Sequence, residues 1–278
     1  MNAFFLSHNG LGDNLYSVGA LRFLLGYYKN IHFLCKDKYY DNVKLFFSDE
    51  KRIICVPFDS KREFQHCYEI IMGNYTNNDI FICGSHKNYL NSKITNTELL
   101  AHKMDNSKYT IDYDTIRAVT SDAGCNYDFI RGFYNDINLD LSVFFEHFDL
   151  KSTETSKKIY ESVKKYDVIF LQTTSSDNIK LNIDDLVRRN IDKEDTILIS
   201  NDENLYEDAD NEKYKMCQSF LRTEIVNYID IIQNSKEIYI IDSCFTGIVL
   251  PLKKTNRLKA DIVRICEIFS NRYKTTKE

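Results

Sequence analysis

Long apolar segments are absent from this sequence. No run of apolar residues approaches the roughly 20 that a helix needs to cross a bilayer. The apolar block at the start, residues 1–6, is too short for the apolar region of a signal peptide, and a strand-and-turn pattern follows it at once. We therefore expect neither a membrane span nor a secretion signal.

An excess of basic residues is also absent. Lysine and arginine number 36 against 41 aspartate and glutamate residues, which gives a formal net charge of −5. A broad surface for nucleic acid needs clustered positive charge that neutralises phosphates. The composition therefore argues against a nucleic-acid partner.

The eight cysteines include no Cys-x-x-Cys pair. Cys35, Cys55, Cys83 and Cys244 lie in or beside apolar runs that have the length of strands. This placement predicts reduced thiols packed in a core, and with them a cytoplasmic location.

Metal-binding motifs are missing as well. The six histidines form no His-Glu-x-x-His motif and no paired spacing. Asp208-Ala209-Asp210 has the letters of an Asp-x-Asp motif, but its acidic surroundings predict a solvated loop. We expect no metal site and no bound cofactor.

Short apolar runs alternate with amphipathic segments along most of the chain. Hydrophobic residues make up 43% and aromatic residues 13% of the 278 positions, enough to fill the core of one large or two ordinary domains. The alternation predicts an α/β fold with parallel sheets covered by helices on both faces. A polar stretch, residues 151–158, predicts the boundary between two Rossmann-like domains, residues 1–150 and 151–278.

The sequence pattern of the N-terminal half predicts four strands and five helices. The strands are expected at residues 3–6, 31–35, 52–56 and 79–83, and the helices at 11–25, 40–47, 61–72, 127–134 and 139–148. The last two helices carry an aromatic stripe that is typical of a packed core. Its members are Phe129, Phe133, Phe144, Phe145 and Phe148.

The C-terminal half repeats this pattern. Strands are expected at residues 168–171, 196–200, 216–219 and 238–241, and helices at 159–165, 183–189, 224–233, 246–252 and 260–273. Two similar α/β halves in succession predict a cleft between them, with ligands at the carboxyl ends of both sheets.

The segment from Ser7 to Leu15 predicts a strand, a glycine turn and the start of a helix. Gly10 and Gly12 let the backbone pass close to a ligand, and the helix start directs unpaired N–H groups into the same crevice. Asp13 is either a helix cap, accepting N–H bonds from the first turn, or a catalytic carboxylate. The turn has no third glycine of the dinucleotide fingerprint, so an NAD(P) site is not favoured.

Two motifs in the C-terminal half follow predicted strands. Residues 168–171 are followed by Gln172-Thr173-Thr174-Ser175-Ser176 and then by Lys180. A predicted helix, residues 225–233, leads into a strand that ends at Asp242-Ser243-Cys244-Phe245-Thr246-Gly247.

Together with Gly10-Leu11-Gly12-Asp13, these motifs resemble the GT-B glycosyltransferases and, among them, the heptosyltransferase-like (glycosyltransferase family 9-like) branch. The resemblance covers both halves in order and implies two Rossmann-like domains facing a cleft. It implies an acceptor domain over residues 1–150 and a nucleotide-sugar donor domain over 151–278. The implied reaction is metal-independent transfer of a sugar from a nucleotide diphosphate, as co-substrate, to a hydroxyl of a glycan-type acceptor.

The resemblance also implies roles for single residues. Asp13 would be the general base that deprotonates the acceptor hydroxyl, and His8 beside the turn is a second catalytic candidate. Lys180 would neutralise the phosphates of the leaving group. Contacts to the donor, including one from Asn201 to the base or ribose, would come from Gly10, Gly12, Thr173, Thr174, Asn201, Asp242, Ser243 and Thr246.

Each of these roles has a purely structural alternative. Lys180 is also compatible with a solvated lysine at a helix start, Asp242 with a helix cap, and His8 with a structural histidine. Cys244 stands where the related loop has glycine, and a histidine of that loop is missing, so the donor's identity stays open. We expect Cys244 to pack, because no base partner is evident.

Two other functions stay open at this point. One is a noncatalytic protein of the same fold that binds nucleotides or glycans, which would bind without turnover. The other is a nucleotide-sugar epimerase, which would convert the free donor without any acceptor. The sequence does not predict the oligomeric state.

Overall fold

The computed structural model of the protein describes residues 1–7, 10–74, 78–84, 127–174, 180–241 and 243–266. These residues form two compact units, one ending at Lys151 and the other beginning at Ser152. We call them unit 1 and unit 2 and describe each by itself. None of the helices in the described ranges is both long and apolar enough to cross a membrane.

Unit 1 is built on a four-stranded sheet in which every pairing is parallel. The strand order is β3-β2-β1-β4. From Ala3 to Leu6, β1 is at most 5% exposed, because a central parallel strand is covered on both faces. The strands are β1 (Asn2–Leu6), β2 (Asn30–Lys36), β3 (Ile53–Phe58) and β4 (Asn78–Ile82).

Six α-helices accompany this sheet in the described part of unit 1. They are α1 (Leu11–Tyr16), α2 (Val18–Leu24), α3 (Tyr40–Phe46), α4 (Glu63–Met72), α5 (Tyr127–Asp136) and α6 (Ser142–Glu146). The single helix expected over residues 11–25 is divided at Ser17, whose hydroxyl donates to the carbonyl of Asp13 (3.0 Å). Leu15, Val18 and Leu21 are fully buried, so the predicted apolar face is buried in both α1 and α2.

Unit 2 has a second four-stranded parallel sheet, ordered β6-β5-β7-β8. Its strands are β5 (Asp167–Leu171), β6 (Thr196–Ser200), β7 (Glu237–Ile241) and β8 (Ile262–Cys266). Its α-helices among the described residues are α7 (Glu154–Val163), α8 (Asp184–Asn190), α9 (Glu212–Ser219), α10 (Ile229–Asn234) and α11 (Thr246–Lys254). A 3-10 helix, Ile225–Tyr228, precedes α10.

Three expectations for unit 2 were wrong. Residues 216–219 belong to helix α9 rather than to a strand; α9 begins after Asn211, whose side chain accepts the N–H of Lys213. Residues 262–266 form strand β8 instead of a helix and pair with β7 in register from Glu237 to Ile241. Residues 260 and 261 are not helical either, and residues 267–273 of that predicted helix lie outside the described residues. Helix α7 begins at Glu154, where Thr153 caps it, and not at residue 159 as expected.

The aromatic stripe packs in the core of unit 1, with one exception. Phe133, Phe144, Phe145 and Phe148 are at most 5% exposed, as predicted, whereas Phe129 is 46% exposed. The ring of Phe129 meets the edge of the Tyr16 ring in α1, with centroids 6.2 Å apart. Helix α5 is therefore packed against the helix that follows the glycine turn.

The six cysteines with described side chains are all free thiols. Cys35, Cys67, Cys83 and Cys217 are buried, in line with the prediction of core thiols, and Cys55 and Cys244 are half-buried. Burial raises the pKa of Cys35, Cys67 and Cys217 to about 12. These thiols therefore remain protonated at neutral pH and are poor nucleophiles.

Both sheets reverse their strand order beside their first strand. In unit 1 the chain moves from β1 outward to β2 and β3 and then returns to place β4 on the other side of β1. In unit 2 the reversal lies between β5 and β7. In open α/β sheets such a reversal leaves a crevice at the carboxyl ends of the two strands, where ligands bind.

The contact between α2 and α6 generates a stability prediction. A Cβ added at Gly19 would lie 2.6 Å from the carbonyl oxygen of Val143, which is backbone and cannot turn away. We expect Gly19→Ala to destabilise the protein by about 1–3 kcal/mol. The matched control is Gly132→Ala in α5, where a Cβ meets nothing within 4 Å; it should be neutral or stabilising by about 0.4–1 kcal/mol. Urea unfolding measures both, and equal stability of the two variants would contradict this packing.

Candidate functional site

The glycine turn of unit 1 is held by the side chain of Asp13. Helix α1 begins at Leu11 with Gly10 as its N-cap residue, and the Gly10 N–H donates to Oδ2 of Asp13 (2.7 Å). Asp13 thus reaches back from the first turn to the N-cap residue, whereas the cap expected from the sequence accepts N–H bonds from residues that follow Asp13. Its side chain is only partly exposed.

Glycine at position 10 is favoured by this contact rather than by backbone conformation. The φ of Gly10 is −80°, which any residue adopts. A Cβ there, however, would lie 2.7 Å from Oδ2 of Asp13. Gly10 therefore makes room for the carboxylate, and Gly12 lies in the first turn of α1.

Asn14 adds a second polar group beside the turn. Its side chain is 1% exposed and donates from Nδ2 to the carbonyl of Gly10 (2.7 Å). Its Oδ1 is buried without a hydrogen-bond partner in the described part of the chain. This acceptor could not be predicted from the sequence, because Asn14 lies inside an amphipathic helix pattern.

The end of β4 lies beside the end of β1. The N–H of Cys83 donates to the carbonyl of Leu6 (2.9 Å), which extends the pairing by one residue. Gly84 follows with a φ of 70°, a conformation that favours glycine, and its N–H donates to Asp136 of α5 (2.7 Å). Asp136 therefore fixes the turn that leaves the sheet at this point.

In unit 2, the loop after β5 returns to its own start. Thr174 and Lys180 form an antiparallel bridge, and the N–H of Leu181 donates to the carbonyl of Thr173 (2.8 Å). Lys180 is exposed, and no carboxylate of the described residues forms an ion pair with it. The backbone thus carries a cationic residue back to the carboxyl end of β5.

Asp202, which follows β6, connects to this loop. Its carboxylate accepts the N–H of Thr174 (2.8 Å), the hydroxyl of Ser200 (2.5 Å) and, at 3.5 Å, the N–H of Thr173. These two backbone N–H groups are therefore engaged within the protein. Thr173 is 2% exposed, so the contact that these two residues leave for a ligand is the hydroxyl of half-buried Thr174.

The loop after β7 is joined to β5 by side chains. Ser243 Oγ donates to Oε1 of Gln172 (2.7 Å), and the Gln172 N–H donates to the carbonyl of Tyr239 in β7 (2.9 Å). The N–H of Ser243 donates to Oγ1 of Thr246 (3.1 Å), which is fully buried at the start of α11. Ser243 thus lies at the reversal between β5 and β7, whereas Thr246 supports it from inside.

Cys244 next to Ser243 is not an activated nucleophile. Burial raises the pKa of its thiol to about 11, so the thiolate is scarce at neutral pH. This agrees with the expectation that Cys244 packs.

Asn201 lies at the carboxyl end of β6. Its carbonyl accepts the N–H of Arg222 (3.0 Å), and its Oδ1 is buried without a partner among the described residues. A ligand hydroxyl or amino group would satisfy this oxygen.

The structure therefore assembles the predicted residues into two groups. Within unit 2 the polar residues at the ends of β5, β6 and β7 are Gln172, Thr173, Thr174, Lys180, Asn201, Asp202, Ser243 and Thr246. Within unit 1, Gly10, Gly12 and Asp13 form the glycine turn. His8 and Asp242 lie outside the described residues. Sequence reasoning missed the structural roles of Gln172 and Asp202, since both depend on contacts between distant loops.

Acidic groups elsewhere do not form a metal site. Across the described ranges, no group of three or more His, Cys, Asp or Glu side chains is arranged to hold a metal ion. Asp208 and Asp210 are exposed, and the Asp208 carboxylate accepts the N–H of Asp210 (2.9 Å). The segment Asp208-Ala209-Asp210 is thus a surface turn.

The Thr246–Ser243 hydrogen bond generates a prediction. Thr246→Val keeps the shape of the side chain but removes the acceptor of the Ser243 N–H, so we expect a loss of about 1–3 kcal/mol of unfolding free energy. Thr246→Ser keeps the acceptor and serves as the control. Urea unfolding compares the two variants, and a valine variant as stable as the serine variant would show that this bond does not hold the loop.

Comparisons with known proteins address the fold. No protein-family model matches the sequence, and a search of curated proteins found no match. Among solved structures, a family 9 glycosyl transferase from Veillonella parvula superposes with a TM-score of 0.57 at 8% identity, covering 99% of this chain and 91% of its own. The E. coli ADP-heptose LPS heptosyltransferase II superposes with a TM-score of 0.53 at 12% identity, covering 95% of this chain and 84% of its own. The likeness confirms the predicted fold class: this chain has two Rossmann-like α/β domains of the GT-B type.

Proposed function

We propose that this protein is a glycosyltransferase that moves a sugar from a nucleotide diphosphate to a hydroxyl of a glycan-type acceptor without a metal ion. Unit 1 would bind the acceptor and unit 2 the donor. The fold supports this class of enzyme, since the two similar structures are named as a family 9 glycosyl transferase and an ADP-heptose heptosyltransferase. The buried, protonated thiols support a reducing, cytoplasmic location.

The observation that carries the proposal is the set of groups at the strand reversal of unit 2. Lys180, an exposed lysine that pairs with no carboxylate of the described residues, is held beside Thr174 at the end of β5. Hydroxyls of Thr174 and Ser243 lie at the ends of β5 and β7, on either side of the reversal. Lys180 supplies a cation and the Thr174 hydroxyl a hydrogen-bond donor for the phosphates of a nucleotide, whereas the Ser243 hydroxyl donates to Gln172 and can only accept from a ligand. Asn201, with its unsatisfied Oδ1 at the end of β6, suits the base or ribose.

The reaction is a displacement at the anomeric carbon of the donor sugar. The acceptor oxygen forms a bond to that carbon, and the bond from the carbon to the diphosphate oxygen breaks, leaving its electron pair on the diphosphate. The acceptor proton passes to the carboxylate of Asp13 as general base. Lys180 stabilises the negative charge that develops on the leaving diphosphate.

Asp13 suits the role of base in spite of its contact with Gly10. The Gly10 N–H donates to Oδ2 and so fixes the orientation of the carboxylate beside the glycine turn. A base that is held by a backbone donor is pre-oriented, which is what proton transfer to a fixed carboxylate needs. The structural and catalytic roles of Asp13 are therefore compatible.

The donor class is tested by thermal shift with UDP, GDP, ADP, CMP and their sugars. A ligand at a hundred times its dissociation constant should add about 2.7 kcal/mol of stability.

Lys180→Ala should weaken diphosphate binding roughly ten- to a hundredfold, because a charged contact is lost. The control is Lys164→Ala at the end of α7. Lys164 pairs with Glu161, and because it precedes β5 it lies near the amino end of that strand, away from the proposed site. Equal effects of both substitutions would contradict a phosphate site at Lys180.

The catalytic role of Asp13 is tested with Asp13→Asn. Asparagine keeps an oxygen that accepts the Gly10 N–H but cannot take the acceptor proton, so transfer should fall by about two to four powers of ten while donor binding is unchanged. Transfer is measured by product analysis with the nucleotide sugar that the panel identifies. Loss of donor binding and transfer together would indicate a structural cap, and donor conversion without an acceptor would indicate an epimerase.

A further inference from the structure

Asp202 is a half-buried acid that the proposed chemistry does not use. Its carboxylate receives hydrogen bonds from the N–H of Thr174 (2.8 Å) and the hydroxyl of Ser200 (2.5 Å), with the N–H of Thr173 farther away at 3.5 Å. Successive backbone N–H groups with a hydroxyl beside them form the kind of concavity that binds anions in proteins. Here the anion is a side chain of the protein itself.

This contact reaches Lys180 through the backbone. Thr174 is bridged to Lys180, and Thr173 accepts the N–H of Leu181 at 2.8 Å. Asp202 therefore accepts the N–H groups of the same two threonines that contact the chain at Lys180 and Leu181. A shift at Thr173 or Thr174 would move Lys180 with it.

We propose that Asp202 is a positioning residue that fills the anion position after β5 and thereby fixes the backbone that carries Lys180. A donor diphosphate is then excluded from the N–H groups of Thr173 and Thr174 and is bound by the side chain of Lys180 and the loop of Ser243. The statement about the diphosphate rests on the proposed function, whereas the filling of the anion position does not.

Charge explains why the two anions do not share this position. The carboxylate occupies the donors that a phosphate would need, and a phosphate brought beside it would be repelled by a like charge at short distance. Expelling the carboxylate would also leave Ser200 and Thr174 without their acceptor. The position after β5 is therefore closed to phosphates as long as Asp202 is present.

Chemical rescue tests the filled position in the absence of any substrate. Asp202→Ala removes the carboxylate, so the melting temperature should fall by several degrees, and sodium formate should restore much of it relative to sodium chloride at equal ionic strength. Wild type should respond to the two salts alike. Asp208→Ala is the matched control, because Asp208 also accepts a backbone N–H, but in an exposed turn. An Asp202→Ala variant of unchanged stability, or one that formate does not rescue, overturns the proposal.

A milder substitution covers the case in which Asp202→Ala does not fold. Ser200→Ala removes one of the donors to Asp202 and should lower the melting temperature by a smaller amount. In the background of Asp202→Asn, the same serine substitution should have a reduced effect, because the carboxylate that it served is gone. Additive effects of the two substitutions would show that Ser200 and Asp202 do not act together.

The positioning of Lys180 is tested by binding of inorganic pyrophosphate, measured by calorimetry well below the melting temperatures. Asp202→Ala should open the N–H groups of Thr173 and Thr174 to pyrophosphate, so formate should compete with pyrophosphate in the variant but not in wild type, and Lys180→Ala should matter less in that background than in wild type. A role of Asp202 in stability alone would leave binding by the folded variant unchanged and would overturn the claim about Lys180. A protein that transfers no sugar would still show the rescue of stability by formate. Failure of the proposed function can therefore be told apart from failure of the proposal that Asp202 fills the anion position.

Discussion

The candidate site residues of each unit lie where the strand order reverses beside the first strand of its sheet. Chain segments that leave neighbouring strands in opposite directions cannot cover the gap between them, so the carboxyl ends of those strands stay open to ligands. In unit 2 the gap lies between β5 and β7, and the hydrogen bond from Ser243 to Gln172 (2.7 Å) spans it. In unit 1 the corresponding ends are those of β1 and β4, next to the turn that Asp13 holds.

Most polar groups at these ends are satisfied by the protein itself. Asp13 accepts the Gly10 N–H, Thr246 accepts the Ser243 N–H, and Asp202 accepts the Thr174 N–H. Such contacts keep irregular backbone in one conformation, because an unpaired buried N–H is costly. Among the described residues of unit 2, the groups that remain for a ligand are the exposed ammonium of Lys180, the hydroxyl of Thr174 and Oδ1 of Asn201, which has no partner there. This division between a fixed frame and a few available groups is what a pre-organised binding site requires.

The strands could be predicted where a short apolar run is buried on both faces, as in Ala3 to Leu6, because parallel central strands have that pattern. The same rule failed at Ile262–Cys266, where four of five side chains are apolar or sulfur-bearing and the run also fits a helix; pairing with β7 decides for a strand. The role of Asp202 could not be predicted, since it depends on a contact with Thr174, 28 positions away. For Asp13 a capping role was one of two interpretations of the sequence, but the observed donor is the N–H of Gly10, the N-cap residue, and not an N–H that follows Asp13.

The central claim is that the ends of β5 and β7 in unit 2 bind the diphosphate of a donor. Hydrogen–deuterium exchange of the intact protein, with and without a saturating nucleoside diphosphate, tests this claim most directly because it locates the bound ligand on the chain. The account predicts slower exchange in peptides that cover residues 172–181 and 243–247. Protection confined to other parts of the chain, with these two segments unchanged by a ligand that demonstrably binds, would contradict it.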